Sequence, residues 1–502
     1  MTKPSRRSFL KTAALVGSAV GSSGFFVAEG NAQDAEKTLN VACIGVGGKG
    51  GGDSDNAARF GNIVAICDVD RGRMDAKSKK EGFQKAKKYT DFRKMLEENE
   101  KDIDIVTISG PDHMHAAATL MAMRMGKHCY TQKPLTRTIY EARKCAEVAK
   151  ETGVCTQMGN QGTALDTSRT CIAQLQAGVI GTIKEVIVWS NRPVWPQNQD
   201  RRENMESFAA KGYAHPDRPA ADKLIWAKYD EIQKHQENLD WRNWISTGKY
   251  RDYYPGLYHA FNWRGWWDFG SGALGDMACH MLTVPFVAAG LKDPTWVRAK
   301  TTGHGFDLFP EASIIEFEFP ANADAKRGKI PFWWYDRKGN KPPQERFDEY
   351  GVSKVSDSGV LIIGEKGALY SDDDYCGKRE FFAKGGEKIQ ELPNLKVELA
   401  EDKGNFDVNN MWELFRAVLA NNPKICQSNF VDRAGPLTET ILLGNLAVWA
   451  AAEGGPDGAM GDWGEKIEWD AKNLKVTNLS SLKTPGVQDL VKPVYTDGFR
   501  LD

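Results

Sequence analysis

Short apolar runs alternate with helix-forming stretches from residue 38 onward. The runs at 39–44, 62–67, 103–108, 127–130 and 154–158 predict strands, and the stretches at 77–88, 115–125 and 140–151 predict helices. Strands that alternate with helices of roughly 10 to 15 residues are typical of a parallel, doubly wound sheet. The pattern therefore predicts an α/β domain over residues 38–158.

The pattern changes after about residue 159. A helix at 167–177 is followed by β-branched and aromatic runs at 183–189, 296–301, 312–319, 329–335, 360–363 and 368–370. These runs predict a large, mostly antiparallel open sheet in an α+β domain over 159–460, with helices at 409–420 and 437–452. A polar, Trp-rich insertion at 193–262 interrupts it. The tail at 461–502 has little periodicity, and we expect it to wrap over the surface.

Residues 1–32 are set apart from this pattern. The pair Arg6-Arg7 precedes an uncharged stretch of small side chains at 12–28, and Gly30-Asn31-Ala32 offers small residues for cleavage. This order predicts a twin-arginine signal peptide, and hence a periplasmic or secreted protein. The uncharged stretch is shorter than the roughly 20 apolar residues of a membrane span, so none is expected after cleavage.

Charge and cysteine usage exclude further classes. The chain of 502 residues has 66 Lys and Arg, 67 Asp and Glu, and a net charge of −1. Cleavage after Ala32 would remove four basic residues and one acidic residue, which leaves −4. Such a chain lacks a broad basic surface for nucleic acid. Its nine cysteines show no zinc-type spacing, so we expect buried, reduced thiols and no metal site.

A glycine-rich turn follows the first predicted strand. The segment 45–50 fits G-x-G-x-x-G, and Asp68 ends the next strand 18 residues beyond it. Such a turn lets the backbone approach a pyrophosphate at a helix N-terminus, and the acidic residue bonds the adenosine ribose. The predicted cofactor is NAD, although Arg71 and Arg73 leave NADP possible. The predicted cofactor contacts of this motif are Gly45, Gly47, Gly48, Gly50 and Asp68.

Four segments together resemble the Gfo/Idh/MocA family of oxidoreductases, named after glucose-fructose oxidoreductase and inositol dehydrogenase. They are the glycine turn with Asp68, residues 110–116 (Gly-Pro-Asp-His-Met-His-Ala), residues 126–135 with Gln132-Lys133-Pro134-Leu135, and residues 272–280. The signal, insertion and tail are similar to those of a secreted branch. The resemblance implies an N-terminal Rossmann domain, a C-terminal domain whose sheet often mediates homo-oligomers, and a sugar or cyclitol substrate beside the nicotinamide.

Two departures from the family pattern matter. The family usually has Glu-Lys-Pro where this chain has Gln132-Lys133-Pro134. Its glycosidase branch carries a His-Gly-x-Gly-type signature at the catalytic helix, where this chain has Asp276 and His280 four residues apart.

The resemblance and the spacing suggest the catalytic groups. Asp276 and His280 would share one face of a helix. His280 suits a general acid/base, and Asp276 could orient it or hold a substrate hydroxyl. Lys133, at the carboxyl edge of the sheet, could bond the reacting hydroxyl beside the cofactor. A satisfied structural pair is the alternative for Asp276 and His280.

Further candidates flank these residues. Pro111, His113 and His115 are expected at a turn and helix start that line the cofactor cleft, where the two histidines are structural or adjacent to the cofactor. The predicted substrate contacts are Asn160, Tyr258, His259, Asn262, Trp263 and Arg264. Eight of the 15 tryptophans lie between 189 and 267. Those of the insertion form either a carbohydrate platform or apolar anchors for a loop-rich segment.

Three functions remain open at this level. The first is an exported NAD(P)-dependent oxidoreductase with a tightly bound cofactor that acts on a sugar, sugar derivative or cyclitol. The second is a redox-neutral, NAD-dependent enzyme that cleaves glycosides by oxidation, elimination, hydration and reduction. The third is a non-catalytic carbohydrate-binding paralogue, against which the presence of Lys133, Asp276 and His280 argues.

Overall fold

The computed structural model of the chain describes residues 38–195, 197, 238–251, 253, 257–492, 495, 499 and 501. These residues belong to one compact unit that begins at Gln33. The expected signal peptide at 1–32 and much of the insertion at 193–262 lie outside the described residues.

The first sheet is parallel throughout. Its strands are β1 (Leu39–Ile44), β2 (Gly61–Cys67), β3 (Lys87–Tyr89), β4 (Ile105–Ile108), β5 (His128–Gln132) and β6 (Thr156–Gly159). Their order is β3-β2-β1-β4-β5-β6, so the chain reverses its direction of travel across the sheet between β1 and β4. The predicted doubly wound α/β fold is confirmed, and a ligand-binding crevice is expected at that reversal.

The second sheet is mixed and mostly antiparallel. Its strands are β7 (Ile183–Ser190), β8 (Trp296–Thr301), β9 (Ser313–Phe319), β10 (Ile330–Asp336), β11 (Gly359–Gly364), β12 (Gly367–Ser371), β13 (Arg379–Ala383), β14 (Ile467–Asp470) and β15 (Lys475–Val476). The order is β13-β12-β11-β7-β10-β9-β8-β14-β15, with β7 and β10 parallel. Alternate residues of β8 and β9 are buried, as one covered face requires.

Helices cover both sheets. They are α1 (Lys49–Ala58), α2 (Arg71–Ser78), α3 (Phe92–Glu98), α4 (Asp112–Arg124), α5 (Ile139–Thr152), α6 (Asp166–Gln176), α7 (Trp241–Ile245), α8 (Gly272–Met281), α9 (Thr283–Ala289), α10 (Glu345–Asp348), α11 (Phe406–Leu419) and α12 (Gly435–Ala450). Helix α12 is buried almost all round and packs against α5, α8 and β8. It joins the two halves of the core.

Two parts of the pattern prediction are wrong. The stretch 77–88 is not a helix, because α2 ends at Ser78, Gly82 adopts a φ of 83°, and residues 87–89 pair with β2. Phe83 and Ala86 are the only apolar side chains of this polar stretch that pack against the core, too few for the continuous apolar face that stabilises a helix. The tail is also more regular than expected, since β14 pairs with β8 and extends the second sheet.

All nine cysteines are buried and unpaired. Burial raises the pKa of each of these thiols, for example that of Cys43 to about 12, so they are poor nucleophiles. Among the described residues, no single helix is long and apolar enough to cross a membrane; only the bent pair α8 and α9 meets the length and composition test together.

Candidate active site

A cleft of about 380 Å³ lies along the carboxyl edge of the first sheet. Its floor comes from the segments that follow β1, β2, β4 and β5. Its other side comes from residues 243–244, 259–261 and 263–264. Sequence-predicted residues that line it are Gly45, Gly47, Gly48, Asp68, Pro111, Lys133, His259, Trp263, Arg264 and Asp276. Residues from distant parts of the chain therefore meet at the edge where doubly wound sheets bind ligands.

The glycine turn needs its glycines for close packing. Gly45 has a φ of 77°, and a Cβ there would lie 2.8 Å from the carbonyl carbon of Ser109. A Cβ on Gly50 would lie 2.2 Å from the carbonyl oxygen of Gly45. Gly50 thus holds α1 against the turn and does not itself line the cleft, whereas Gly48 is the N-cap of α1 and does. The free N–H groups of the α1 N-terminus suit a pyrophosphate.

Asp68 is held rigidly at the end of β2. Its Oδ2 accepts a hydrogen bond from the N–H of Val46 at 2.9 Å, and its Oδ1 accepts one from the N–H of Asp70 at 2.9 Å. Burial raises the pKa of this carboxyl above its usual value. Each carboxylate oxygen keeps a further acceptor site, so the side chain can also bond ribose hydroxyls. The turn and Asp68 together fit a dinucleotide.

The other end of the cleft holds a partly buried ion pair. Lys133 Nζ donates to Oδ1 of Asp276 at 2.9 Å and to its carbonyl oxygen at 2.6 Å. Arg264 Nε lies 3.5 Å from the same Oδ1. Burial tends to raise the pKa of Asp276, but the charges of Lys133 and Arg264 outweigh it and hold the pKa below its usual value. A carboxylate and two cations therefore meet where a substrate hydroxyl could bind.

His280 lies one turn along α8 from Asp276 and is not among the residues that line this cleft. Burial, and then the charge of Lys133, lower its pKa to about 3, so the imidazole is neutral. Its Nδ1 is buried without a hydrogen-bond partner, and its ring packs edge-on against Tyr375 at 5.2 Å between centroids. The predicted general acid/base is thus present as an unprotonated ring beside the ion pair.

Two neighbouring side chains share this lack of partners. Asn160 and Gln161 follow β6 and are 2% and 4% exposed. Asn160 Oδ1 and Gln161 Nε2 are buried and unpartnered. Asn160 Nδ2 lies 3.5 Å from Oγ1 of Thr283, which in turn bonds the carbonyl of Cys279 beside His280. Asn160, which was predicted from sequence, is therefore connected through Thr283 to the part of α8 that carries His280. Gln161 is the adjacent residue, and the sequence analysis did not predict it.

His113 and His115 are buried away from the cleft. The ring nitrogens of His113 lie 3.2 Å and 2.8 Å from the carbonyl oxygens of Phe269 and Trp244. Those of His115 lie 2.9 Å from the carbonyl oxygens of Pro134 and Gly110. Their geometry supports the structural alternative, in which they join α4 to neighbouring loops, rather than a contact with the cofactor.

The described tryptophans of the insertion region are mostly scaffolding. An aromatic cluster contains Leu239, Trp241, Trp244, Ile245, Tyr253, Leu257, Tyr258, Trp263, Trp266, Phe269 and Leu308. Tyr258 is 1% exposed within it, so this expected substrate contact is instead a core residue. Asn262 begins a short 3-10 helix and does not line the cleft. The apolar-anchor alternative therefore describes most of this group.

Among the cleft residues that were not anticipated from sequence as site residues are Asp112, Gln132, Trp244 and Phe261. Asp112 is 4% exposed, accepts a hydrogen bond from Ser271 Oγ at 2.6 Å, and has its pKa raised to about 7 by burial. Gln132 lies beside Lys133, and Phe261 is 47% exposed. Trp244 reaches the cleft from the aromatic cluster. No sequence spacing marks these positions, because their neighbours lie more than 70 residues away along the chain.

Within the described ranges, no group of three His, Cys, Asp or Glu side chains is arranged to hold a metal ion. The acidic residues of the cleft have other partners: Asp68 accepts from backbone N–H groups, Asp112 from Ser271, and Asp276 from Lys133. His259 lies between Trp244 and Asp70.

Two family models match the chain in order. Residues 39–160 match the model described as the oxidoreductase family, NAD-binding Rossmann fold, and residues 220–297 match the C-terminal alpha/beta domain of the same family. Both carry the family label GFO_IDH_MocA. The first match contains the glycine turn, Asp68 and Lys133, and the second contains Asp276 and His280.

Similar proteins agree with these matches. Inositol 2-dehydrogenase of Salmonella typhimurium is 30% identical over 122 residues, which are 23% of this chain and 34% of that protein. A glycosyl hydrolase family 109 protein of Shewanella pealeana is 30% identical over 172 residues, which are 30% of this chain and 38% of that protein. The chain thus spans little more than a third of the length of these relatives.

Solved structures share the fold over most of the chain, and one of them illustrates the match. It is the WlbA dehydrogenase of Bordetella pertussis, in complex with NADH and UDP-GlcNAcA, with a TM-score of 0.51 and 14% identity. The alignment covers 86% of this chain and 99% of that one.

Proposed function

The chain belongs to the Gfo/Idh/MocA oxidoreductases, and on that premise we propose that it is an NAD-dependent oxidoreductase that acts on a hydroxyl of a sugar, sugar derivative or cyclitol. The observation that carries the proposal is the partly buried Lys133–Asp276 pair, which lies in the same cleft as the glycine turn and Asp68. One cleft thus offers a dinucleotide site at one end and proton-handling groups at the other.

The dinucleotide end favours NAD. The matched family model is described as NAD-binding, and Asp68 occupies the position that bonds the ribose hydroxyls. Arg73 is held by an ion pair, with Nε 3.2 Å from Oδ2 of Asp70, and NADP remains the weaker alternative. When bound, the nicotinamide supplies a hydride acceptor or donor.

Lys133 is the group that would bind the reacting oxygen. Its ammonium donates two hydrogen bonds to Asp276 and has one further N–H to offer. A hydrogen bond from this cation stabilises negative charge on a hydroxyl oxygen as its proton leaves. Asp276 fixes the direction of the ammonium, and Arg264 adds a second positive charge beside it.

His280 would accept a hydrogen bond from a neighbouring hydroxyl of the substrate. Burial lowers its pKa to about 3, so the imidazole is neutral and can accept at a ring nitrogen, but it is a weak base at neutral pH. His280, Asn160 and Gln161 each have one buried side-chain atom without a hydrogen-bond partner. These atoms are an imidazole nitrogen, an amide oxygen and an amide nitrogen. Leaving a buried polar atom unpaired costs roughly 1–3 kcal/mol, which hydrogen bonds to a polyhydroxylated substrate would offset.

A second candidate is redox-neutral glycoside cleavage. It is favoured by the likeness to glycosyl hydrolase family 109 proteins, although the chain lacks the His-Gly-x-Gly-type signature. The same residues would serve, since oxidation of a ring hydroxyl is its first step. A non-catalytic carbohydrate-binding protein is the remaining alternative, and the paired Lys133 and Asp276 in the cleft argue against it.

We further propose that the protein is exported by the twin-arginine route and carries its cofactor with it. Arg6-Arg7 and the uncharged stretch that follows support this. The compartment outside the cytoplasm offers no free nicotinamide pool, so a tightly retained cofactor and a cycle that regenerates it are expected. Replacing Arg6-Arg7 by Lys-Lys should leave the protein in the cytoplasmic fraction; unchanged export would contradict the route.

The proposed activity can be tested on the purified protein. Mass spectrometry after gel filtration should detect bound NAD or NADH. Incubation with a panel of free sugars and cyclitols should then change the redox state of that cofactor, visible as absorbance at about 340 nm. Turnover of an aryl glycoside without added NAD would favour the second candidate. Failure to bind any dinucleotide would contradict both enzymatic proposals.

A further inference from the structure

The far wall of the cleft is tied to the chain just after β2. We define the cleft wall as residues 238–251 and 257–264. The N–H of Asp240 donates to the carbonyl of Val69 at 2.8 Å, and Leu239 forms an antiparallel bridge with Asp70. The Val69 side chain packs against the aromatic cluster of the wall. The wall is therefore anchored next to Asp68, where we expect the adenosine ribose to bind.

A side-chain hydrogen bond makes a second tie. The indole N–H of Trp244 donates to Nδ1 of His259 at 3.2 Å. Because an indole can only donate, Nδ1 must be the acceptor, and the ring proton sits on Nε2. That N–H faces Oδ2 of Asp70 at 3.1 Å. Trp244 thus fixes the tautomer in which His259 donates to Asp70.

Asp70 is a rigid anchor for this bond. It is the N-cap of α2, where Oδ1 accepts a hydrogen bond from the N–H of Arg73 at 3.1 Å. Its other oxygen, Oδ2, also pairs with Arg73 Nε at 3.2 Å. The carboxylate therefore holds its place whether or not His259 is present.

The wall contributes to the dinucleotide end of the cleft. Asn243, Trp244, His259, Ala260 and Phe261 line the same cleft as Asp68 and Val69. A dinucleotide with its ribose at Asp68 would be enclosed between the glycine turn and these side chains. Phe261, which is 47% exposed, also lines the cleft, with the guanidinium carbon of Arg264 4.3 Å from its ring centroid.

We propose that the cleft wall is a cofactor-retaining element, and that the His259–Asp70 hydrogen bond holds it closed over the adenosine half of the dinucleotide. This rests on the proposed function, because it takes a dinucleotide as the occupant. It assigns to His259 a role in retaining the cofactor, in place of the substrate contact expected from sequence. Release of the dinucleotide requires this bond to break, while substrate exchange at the Lys133 end does not.

The test measures cofactor release and does not depend on turnover. The full chain is purified with its dinucleotide, diluted, and the freed dinucleotide is captured by an excess of a second dehydrogenase. The variants are His259→Phe, which keeps a ring, and Asp70→Asn, which keeps the N-cap oxygen but presents an N–H to His259. Each should release the dinucleotide about tenfold faster, because a hydrogen bond to a charged group is lost.

The double variant shows whether the two substitutions act through the same His259–Asp70 hydrogen bond or independently of each other. If both substitutions break the same contact, the double variant releases the dinucleotide no faster than either single variant. His128→Ala is the matched control, since it removes an imidazole that accepts from the N–H of Cys155 at the amino edge of the sheet, away from the cleft. It should leave the release rate unchanged.

The outcomes separate this proposal from the proposed function. A protein that binds the dinucleotide but whose release rate is unchanged in both variants, or is additive in the double variant, overturns the retaining role alone. A protein that binds no dinucleotide overturns the proposed function and the retaining role with it. If His259→Phe fails to fold, Asp70→Asn still tests the proposal, because its side-chain oxygen can still cap α2 and the variant should fold.

Discussion

Gln132 donates a hydrogen bond from its side-chain amide to Asp53, with Nε2 2.8 Å from Oδ2. Ser109 Oγ donates to the same oxygen at 2.8 Å, and Asp53 is 1% exposed. Burial raises the pKa of this carboxyl. The departure from Glu-Lys-Pro to Gln132-Lys133-Pro134 thus has a structural reason: a glutamate at position 132 would face a second buried carboxylate.

Gln132→Glu should therefore destabilise the protein by roughly 2–4 kcal/mol at neutral pH, because two buried carboxylates would share one site. Adding Asp53→Asn should restore most of the loss, since the donor and acceptor roles are then exchanged. Urea denaturation of both variants measures this. A single variant as stable as the parent would show that Gln132 is not matched to Asp53.

Lys133→Met should lower kcat for the sugar substrate by about a hundredfold or more, because the reacting oxygen loses its charged donor. The bound dinucleotide should remain detectable by mass spectrometry. Lys144→Met is the matched control, since Lys144 pairs with Glu147 on the outer side of α5. Equal kcat in the parent and Lys133→Met would remove Lys133 from the mechanism.

Asp112 should make stability depend on pH. With a pKa raised to about 7 by burial, the folded state binds a proton between about pH 4 and 7 that the unfolded state has lost. Its contribution is complete below about pH 4 and is lost as the pH rises through 7. The Tm of Asp112→Asn minus that of the parent should therefore grow from pH 5 to pH 8. Parallel Tm curves would contradict the raised pKa.

Trp244→Ala and Phe261→Ala should separate scaffolding from ligand contact. Trp244 is 3% exposed within the aromatic cluster, so its truncation should cost roughly 3–5 kcal/mol of stability. Phe261 is half exposed, and its truncation should cost less than about 1 kcal/mol. Phe261→Ala should instead weaken dinucleotide binding, measured by titration calorimetry. Similar losses of stability in the Trp244→Ala and Phe261→Ala variants would contradict the assignment of Trp244 to the scaffold and Phe261 to ligand contact.

Asp68→Ser should relax the choice between the two dinucleotides. Removing the carboxylate takes away the acceptor for the ribose hydroxyls and the group that disfavours a 2′-phosphate, while Arg73 stays nearby. The ratio of NADP to NAD affinity should rise by about tenfold, measured by fluorescence titration after the bound dinucleotide is removed. An unchanged ratio of NADP to NAD affinity would indicate that the adenosine ribose does not bind at Asp68.

The first half of the site follows closely from the sequence. The turn at 45–50, the strands around it and Asp68 belong to one βαβ segment of the chain, in which backbone atoms lie too close to Gly45 and Gly50 to admit a side chain. Apolar periodicity located most strands of both sheets for the same reason, since alternation depends on the local pleat. At 77–88 the apolar positions were too few to form a helical face, and helix propensity alone led to a wrong prediction.

Sequence alone therefore determined the doubly wound fold, the glycine turn with Asp68, and the candidate roles of Lys133, Asp276 and His280. Only the tertiary structure decided that Asp276 lines the cleft while His280 does not. Their spacing puts both side chains on one face of α8, but it does not say which turn of the helix borders the cleft. The tertiary structure also decided that Tyr258 is core and that His259 bonds Asp70, 189 residues away. Such partners depend on how distant segments pack, and local sequence patterns do not encode that.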